Sequence, residues 1–353
     1  MYELGNVFRS HPSGAFIQVQ PPLITSSDCE GAGETFTIEP REMATSGAKG
    51  DHFFRTPKYL TVSSQLHLEA YAAELGSVWA LSPTFRAEKS DTPRHLSEFY
   101  MLEAEMNFMP DLDSLTDSVE HIVRDLTRRL YDTPVGQEIL SAKRSGESGH
   151  GETDKEDPHR SLRQRWVDIM DGPWWERITY TQAIEKLQEA VVNNSASFEH
   201  SPTWSSGLQL EHEKYIVDVI CKGKPVFVTD YPKTIKPFYM APSQQSPEAG
   251  QTVACFDLLL PEVSEVAGGS LREHRLPDLI QNMRECGLIK PRQFEEGTRP
   301  TEAIYPYLSP DEDLGHLQWY ADLRRWGTAP HAGFGLGFDR LLGYLSGVSS
   351  VRD

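Results

Sequence analysis

From Thr84 to Glu105 the chain reads TFRAEKSDTPRHLSEFYMLEAE, two runs of strand length joined by a charged loop. Arg86 and Glu88 close the first run. Arg94, His95 and Glu98 open the second, and Phe99 begins an alternation of side chains. A hairpin would aim these groups into one cleft. Two arginines there can hold phosphate oxygens bidentately, and an aromatic ring offers a flat surface to a base. A solvated hairpin with surface ion pairs is the ordinary alternative for an arbitrary Arg/Glu pattern. A second string, GFGLGFDRLL from Gly333 to Leu342, spaces three glycines so that a strand can lie close to a ligand. It sets Arg340 at the start of a helix. By themselves these glycines fit any strand-to-helix turn.

The elements that must carry these groups follow from periodicity. Strand-like runs occupy 16–24, 78–86, 97–108, 225–230, 252–260 and 333–338. Helical spacing occupies 64–76, 112–131, 180–191, 211–221, 275–286 and 315–325, with Gly287 as a C-cap. Long polar loops in place of regular βαβ units predict an α+β fold, a mostly antiparallel sheet flanked by helices. Residues 142–165 hold one large aliphatic residue, Leu162, and are expected to form a polar, mobile insertion. The stretches 193–207 and 241–251 are expected to be loops.

Bulk properties narrow the class. No apolar run is long enough to span a bilayer. The formal charge of -18 disfavours a general nucleic-acid binder, which usually shows a basic domain. The cysteines, Cys29, Cys221, Cys255 and Cys286, are scattered without zinc-site spacing, which fits a reducing compartment. Neither the dinucleotide-binding glycine fingerprint nor the phosphate-binding loop motif occurs.

Taken whole, FRAE with RHLSEF resembles motif 2 of the class II aminoacyl-tRNA synthetases, and GFGLGFDR resembles motif 3. Pro21-Pro22 matches the proline of motif 1. The segments DCEGAGETF (28–36), TVSSQLHLE (61–69), YPKTIKPFYM (231–240), DLLLPEVSEVAGGS (257–270) and WYADLRRWGTAPHAGFG (319–335) resemble the aspartyl/asparaginyl/lysyl branch, and within it the asparaginyl-tRNA synthetases of bacterial and mitochondrial type. The resemblance implies a class II synthetase catalytic fold over 1–353, interrupted by the insertion 142–165. It implies ATP-dependent activation of asparagine to the adenylate and transfer to tRNA(Asn), with ATP as substrate and Mg2+ as cofactor.

Residue by residue, it implies that Arg86 holds the α-phosphate and the substrate carboxylate, that Glu88 reads adenine, and that Phe99 and Arg340 sandwich the base. Arg94 and His95 approach the outer phosphates. Asp257 and Glu265 bear the metal, Glu265 also contacting ATP. Glu30, Ser63 and Gln65 surround the amino acid, while Glu103 and Arg272 read its side chain. Aspartyl enzymes carry a lysine where this chain has Leu68 and an aspartate where it has Glu103. Physics agrees with the asparagine reading. An aspartate carboxylate ~4 Å from Glu103 would meet a like charge costing ~4 kcal/mol at an effective dielectric of about 20. An amide would instead donate to Glu103 and accept from Arg272.

Two alternatives stay open at this level: an aspartate-activating paralogue that makes free asparagine, and a non-catalytic relative binding nucleotide or a partner protein. Leu68 and Glu103 weigh against the first, and the presence of Arg86, Arg94 and Arg340 against the second. The family is a homodimer built on the motif 1 helix, of which residues 1–13 could supply only part. No segment matches the family's N-terminal anticodon-binding β-barrel, so recognition through the tRNA acceptor end is expected. The CEGAGE and TVSSQ forms together with the insertion point to the mitochondrial matrix, although no presequence is visible; the cytoplasm is the alternative.

Overall fold

A computed structural model describes residues 1–26, 35–39, 54, 56–88, 96–141, 162–294 and 301–348. Its strands in chain order are β1 (Ile17–Gln18), β2 (Ile24–Thr25), β3 (Tyr59–Leu60), β4 (Ser77–Phe85), β5 (Glu98–Asn107), β6 (Glu176–Thr179), β7 (Val226–Pro232), β8 (Thr252–Leu260), β9 (Ser264–Leu271), β10 (Lys290–Pro291), β11 (Glu312–Asp313) and β12 (His331–Gly337). Eight of them form one sheet in the order β1-β4-β5-β12-β9-β8-β7-β6. The pairs β1–β4 and β6–β7 are parallel and the remaining five antiparallel. The α+β expectation therefore holds.

Alternation along the strands divides the core between the two faces of the sheet. Phe256, Leu258 and Leu260 of β8 face one side, and Leu102, Ala104 and Met106 of β5 join them in the same core. The helix Leu112–Tyr131 covers this side. It starts at Asp111, whose carboxylate accepts from Ser114 N at 2.8 Å, and Arg128 and Arg129 end it against the helix dipole. Its stripe of Leu115, Val119, Ile122 and Leu126 is buried, as are Trp166 from the helix Leu162–Asp171 and Leu341 from Phe338–Ser346.

On the other side, Val253, Cys255 and Leu259 pack with the helices Tyr180–Val192, Leu276–Glu285 and Gln318–Arg325. That second side is not apolar throughout. Met101, Glu103 and Glu105 of β5 line a cavity there, together with Asp257 of β8 and Gly335 of β12. The sheet thus presents a hydrocarbon face to one helical layer and a polar floor to the cavity.

Several expected elements differ in detail. The run 16–24 yields two short strands, since Pro21 and Pro22 have no N–H to donate to a ladder. The helix expected over 211–221 divides into an α-helix, Leu210–Tyr215, and a π-turn, Ile216–Ile220, in which Cys221 N reaches Ile216 O at 2.8 Å. The insertion expected over 142–165 is too long at its C-terminal end. Residues 142–161 lie outside the described residues, but the helix Leu162–Asp171 includes 162–165. Arg165 is buried there, donating to Tyr344 O at 2.6 Å and pairing with Glu262. A polar composition concealed a residue whose charge is met by tertiary partners.

Candidate active site

The cavity encloses about 540 Å³ over the β5, β12, β9 and β8 floor. Ser63, Gln65, Arg86, Glu103, Asp257, Glu265 and Arg272, all expected site residues, line it, as does Leu68. They come from 63–68, the β4 end, β5, β8, β9 and the residue after β9, so only the folded sheet unites them.

Glu103 is buried, and its carboxylate is held at the mouth of the helix Gln65–Leu75. Ser64 N, at the N-cap, donates to both oxygens at 3.0 Å, and Ser63 Oγ donates to Oε1 at 2.5 Å. Helix termini favour negative charge at this position. Ser63 Oγ also accepts from Gln65 N at 3.1 Å. The serines of the TVSSQ segment therefore fix an acceptor in the cavity wall. Leu68 beside them is 1% exposed and packs with Ala72, Val78 and Ala80. It contributes no charge where a lysine would have.

Arg272 lines the same cavity, buried, with its fork closed on Glu105: Nε to Oε1 and Nη2 to Oε2, both at 3.1 Å. Nη1 donates to Ser270 Oγ at 2.7 Å, and the guanidinium lies 5.3 Å from the Tyr239 ring centroid. Burial alone would lower its pKa; Glu105 and Glu69 reverse that and raise it, so Arg272 is a fixed cation. Burial raises the Glu105 carboxyl, opposed by Arg272. Close packing makes the pair possible: a Cβ on Gly333, across from Glu105 in the β5–β12 ladder, would stand 1.8 Å from Glu105 Oε2. That glycine, expected to make room for a ligand, makes room for the protein's own carboxylate.

At the other end of the cavity sit Arg86, Asp257 and Glu265. The Arg86 guanidinium stacks 5.6 Å from the Phe99 ring centroid. Arg340 donates from Nη1 to Glu265 O at 2.8 Å. Tyr100 N donates to Asp339 Oδ2 at 2.7 Å, so Phe99 and Arg340 flank a bonded pair. Asp257 pairs with Gly268 in the β8–β9 ladder, and the register shift at Leu258/Leu259 leaves Val266 as an extra residue. That bulge turns Glu265 to the cavity side along with Gly268. Burial, then Asp257, raise the Glu265 carboxyl against the pull of Lys236, Arg340 and Arg86. Nearby Glu213 is pushed up to about 7 by burial and by Glu265 and Asp257. A bare Gly268 adjoins both the Asp257 and Glu265 carboxylates. Oxygen donors crowded in this way suit a hard divalent cation.

The sequence reading missed the counter-charge already in place. Lys236 donates to Asp257 Oδ2 at 3.0 Å and Oδ1 at 3.1 Å, and sits 3.9 Å from the Tyr231 ring centroid. Both lysines are visible in YPKTIKPFYM, but the sequence alone does not show which of them meets a carboxylate in the fold. Glu105 was likewise legible two residues after Glu103, on the same face of β5. Glu88, Phe99 and Arg340 do not line the cavity, although Phe99 and Arg340 join it through Arg86 and Glu265. Glu30, Arg94 and His95 lie outside the described residues.

Comparison with known proteins fits this geometry. Residues 4–353 match the family model of tRNA synthetases class II (D, K and N). The mitochondrial asparagine–tRNA ligase of Saccharomyces cerevisiae is 40% identical over 341 residues, covering 96% of this chain and 62% of the relative. The asparagine–tRNA ligase of Desulfotalea psychrophila is 38% identical over 364 residues, covering 100% and 66%. The crystal structure of Pyrococcus horikoshii asparaginyl-tRNA synthetase complexed with asparaginyl-adenylate superposes with a TM-score of 0.71 at 29% identity, covering 99% of this chain and 65% of that one. The chain spans less than two thirds of the length of each of these relatives. The eight-stranded sheet, the motif arginines and the match over almost every residue lead to one assignment: this chain belongs to the class II tRNA synthetases of the aspartyl, lysyl and asparaginyl family.

Proposed function

We propose that the chain activates asparagine with ATP and passes the asparaginyl group to tRNA(Asn). The observation that carries this reading is the position of Glu103 and Arg272 in one cavity wall, with Leu68 in place of a cation. Glu103, fixed by Ser63 and Ser64, accepts from the side-chain amide nitrogen. Arg272 donates to the amide oxygen. Aspartate would bring a second carboxylate against Glu103 without a lysine to balance it. The relatives named for asparagine support the same choice.

In the reaction, the asparagine carboxylate oxygen attacks the α-phosphorus of ATP in line. A new P–O bond forms to the acyl oxygen as the bond to the bridging oxygen of pyrophosphate breaks. No side chain acts as a nucleophile, so catalysis rests on position and charge. Arg86 holds the carboxylate and the α-phosphate together, Phe99 and Arg340 grip the base, and Glu88 reads its edge. Arg94 and His95 take the outer phosphates. Mg2+, when bound at Asp257 and Glu265, supplies charge neutralisation on the phosphates. Lys236 keeps Asp257 oriented for that role. The ribose hydroxyl of the tRNA acceptor end then attacks the acyl carbon and AMP leaves.

We assign the 353 residues to the catalytic unit, working as a homodimer. The mitochondrial matrix is the proposed compartment, in keeping with the Saccharomyces relative. Trapping the first intermediate tests the activity: the chain mixed with ATP, Mg2+ and asparagine should yield asparaginyl-adenylate detectable by mass. Arg340→Ala should lower its rate of formation at least about 100-fold while retaining the wild-type melting temperature within a few degrees. Adenylate formed equally fast by Arg340→Ala would remove Arg340 from the site.

A further inference from the structure

Behind the cavity wall lies a buried cluster that none of the roles above uses. Glu69, on the helix Gln65–Leu75, is 3% exposed. Tyr320 Oη donates to both of its oxygens at 2.8 Å, Arg324 Nη2 to Oε2 at 2.5 Å, and His331 Nε2 faces Oε2 at 3.0 Å. Arg324 Nε reaches Glu273 O at 3.1 Å, anchoring the cluster to the chain just beyond Arg272. Glu69, Glu105 and His331 stand close enough to chelate an ion, but the guanidiniums of Arg324 and Arg272 already provide the cations these carboxylates need. Burial would raise the Glu69 carboxyl, yet Arg324, His331 and Arg272 outweigh it and hold it well below the usual range.

The cluster has two contacts on the cavity side. Gln65 Nε2 donates to Glu69 Oε1 at 3.2 Å, and Arg272 Nε lies 4.0 Å from the same oxygen. Gln65 and Arg272 both line the cavity. One buried oxygen thus ties together two amino-acid-binding side chains that arrive from different elements. We infer that Glu69 is the positioning residue of the amino-acid pocket, fixing Gln65 and Arg272 against one carboxylate so that the pocket is preformed for a neutral amide. Charge supports the role: the buried acids Glu69 and Glu105 are met by the guanidiniums of Arg324 and Arg272. Arg272, neutralised by Glu105 and Glu69, offers a donor to an amide oxygen more readily than a free charge to a carboxylate. This inference rests on the asparagine reading of the site. It adds a residue that touches no substrate.

A split between the two Michaelis constants separates positioning from general support of the fold. ATP–pyrophosphate exchange is measured for the full chain and for Glu69→Gln, varying asparagine and ATP in turn. The expected result is a rise of about tenfold or more in the KM for asparagine, with the KM for ATP within about twofold of wild type. Tyr320→Phe, which removes only the hydroxyl held by Glu69, should move the asparagine KM in the same direction by a smaller factor. It carries the test if Glu69→Gln does not fold. Equal rises in both KM values, or a fall in kcat with the asparagine KM unchanged, would overturn the inference. A wild-type chain driven by aspartate would sink the substrate reading and the preformed amide pocket together. A wild-type chain driven by asparagine, with variants of unchanged asparagine KM, would sink the role of Glu69 alone.

Discussion

At the residue scale, specificity is a matter of which charges are already satisfied when substrate arrives. Glu103 accepts hydrogen bonds from Ser63 and Ser64, which hold its carboxylate in one place. Hydrogen bonds to a charged group contribute about 1.5–3 kcal/mol. Glu103→Gln should therefore lower kcat/KM for asparagine by about 10- to 100-fold, measured by exchange, while the KM for ATP stays near wild type. A loss confined to ATP would place Glu103 elsewhere. How much of this was readable beforehand differs by residue. Arg86, Glu103 and Arg272 stand in distinctive strings that single them out as candidates, and the structure places all three in one cavity. Lys236, Glu105 and Glu69 are not singled out, because a charged residue inside an apolar run reveals its partner only when strands far apart in sequence are paired.

At the element scale, the sheet positions the site by strand register and small residues. Glycines spaced along β12 read as ligand-facing, but Gly333 serves the Glu105–Arg272 pair. A methyl group there would also lie 2.5 Å from Ala104 O, an atom of the backbone that has nowhere to retreat. Gly333→Ala should cost about 1–3 kcal/mol or more as overpacking. It should also weaken asparagine activation, which thermal melting and exchange together would report. Full stability with full activity would contradict the close approach. Strands β4, β5, β8 and β12 were all evident from their apolar or alternating runs. β9 was not, because EVAGGSLR lacks a clean alternation and its bulge breaks the period. The helix Leu162–Asp171 was hidden by the polar residues that precede it and by Arg165, whose burial depends on Tyr344 O and Glu262.

At the scale of the whole molecule, the N-terminal segment packs onto the helix Leu112–Tyr131, where Arg129 Nη2 donates to Ser10 Oγ at 2.9 Å. His11 is buried there, its ring edge-on to Phe16 and to His121. Burial, with His121 adding to it, pushes its pKa down to about 4 against the upward pull of Ser118 and then Asp125. A histidine lowered on folding takes up its proton more readily in the unfolded chain. Its contribution to stability is thus complete above the unfolded value of about 6.5 and is lost as pH falls towards 4. The slope is at most about 1.4 kcal/mol per pH unit, less whatever nearby water screens. Melting followed from pH 7 to pH 4.5 should show a steeper decline for wild type than for His11→Asn. Parallel curves would mean that His11 titrates alike in both states.

The central claim is that a class II fold with a neutral amide pocket selects asparagine. Its most direct test is amino-acid-dependent ATP–pyrophosphate exchange by the purified chain, with asparagine, with aspartate and with neither. The geometry of Glu103, Leu68 and Arg272 predicts exchange with asparagine and background with aspartate. Exchange driven by aspartate, or by aspartate and asparagine equally, would contradict it.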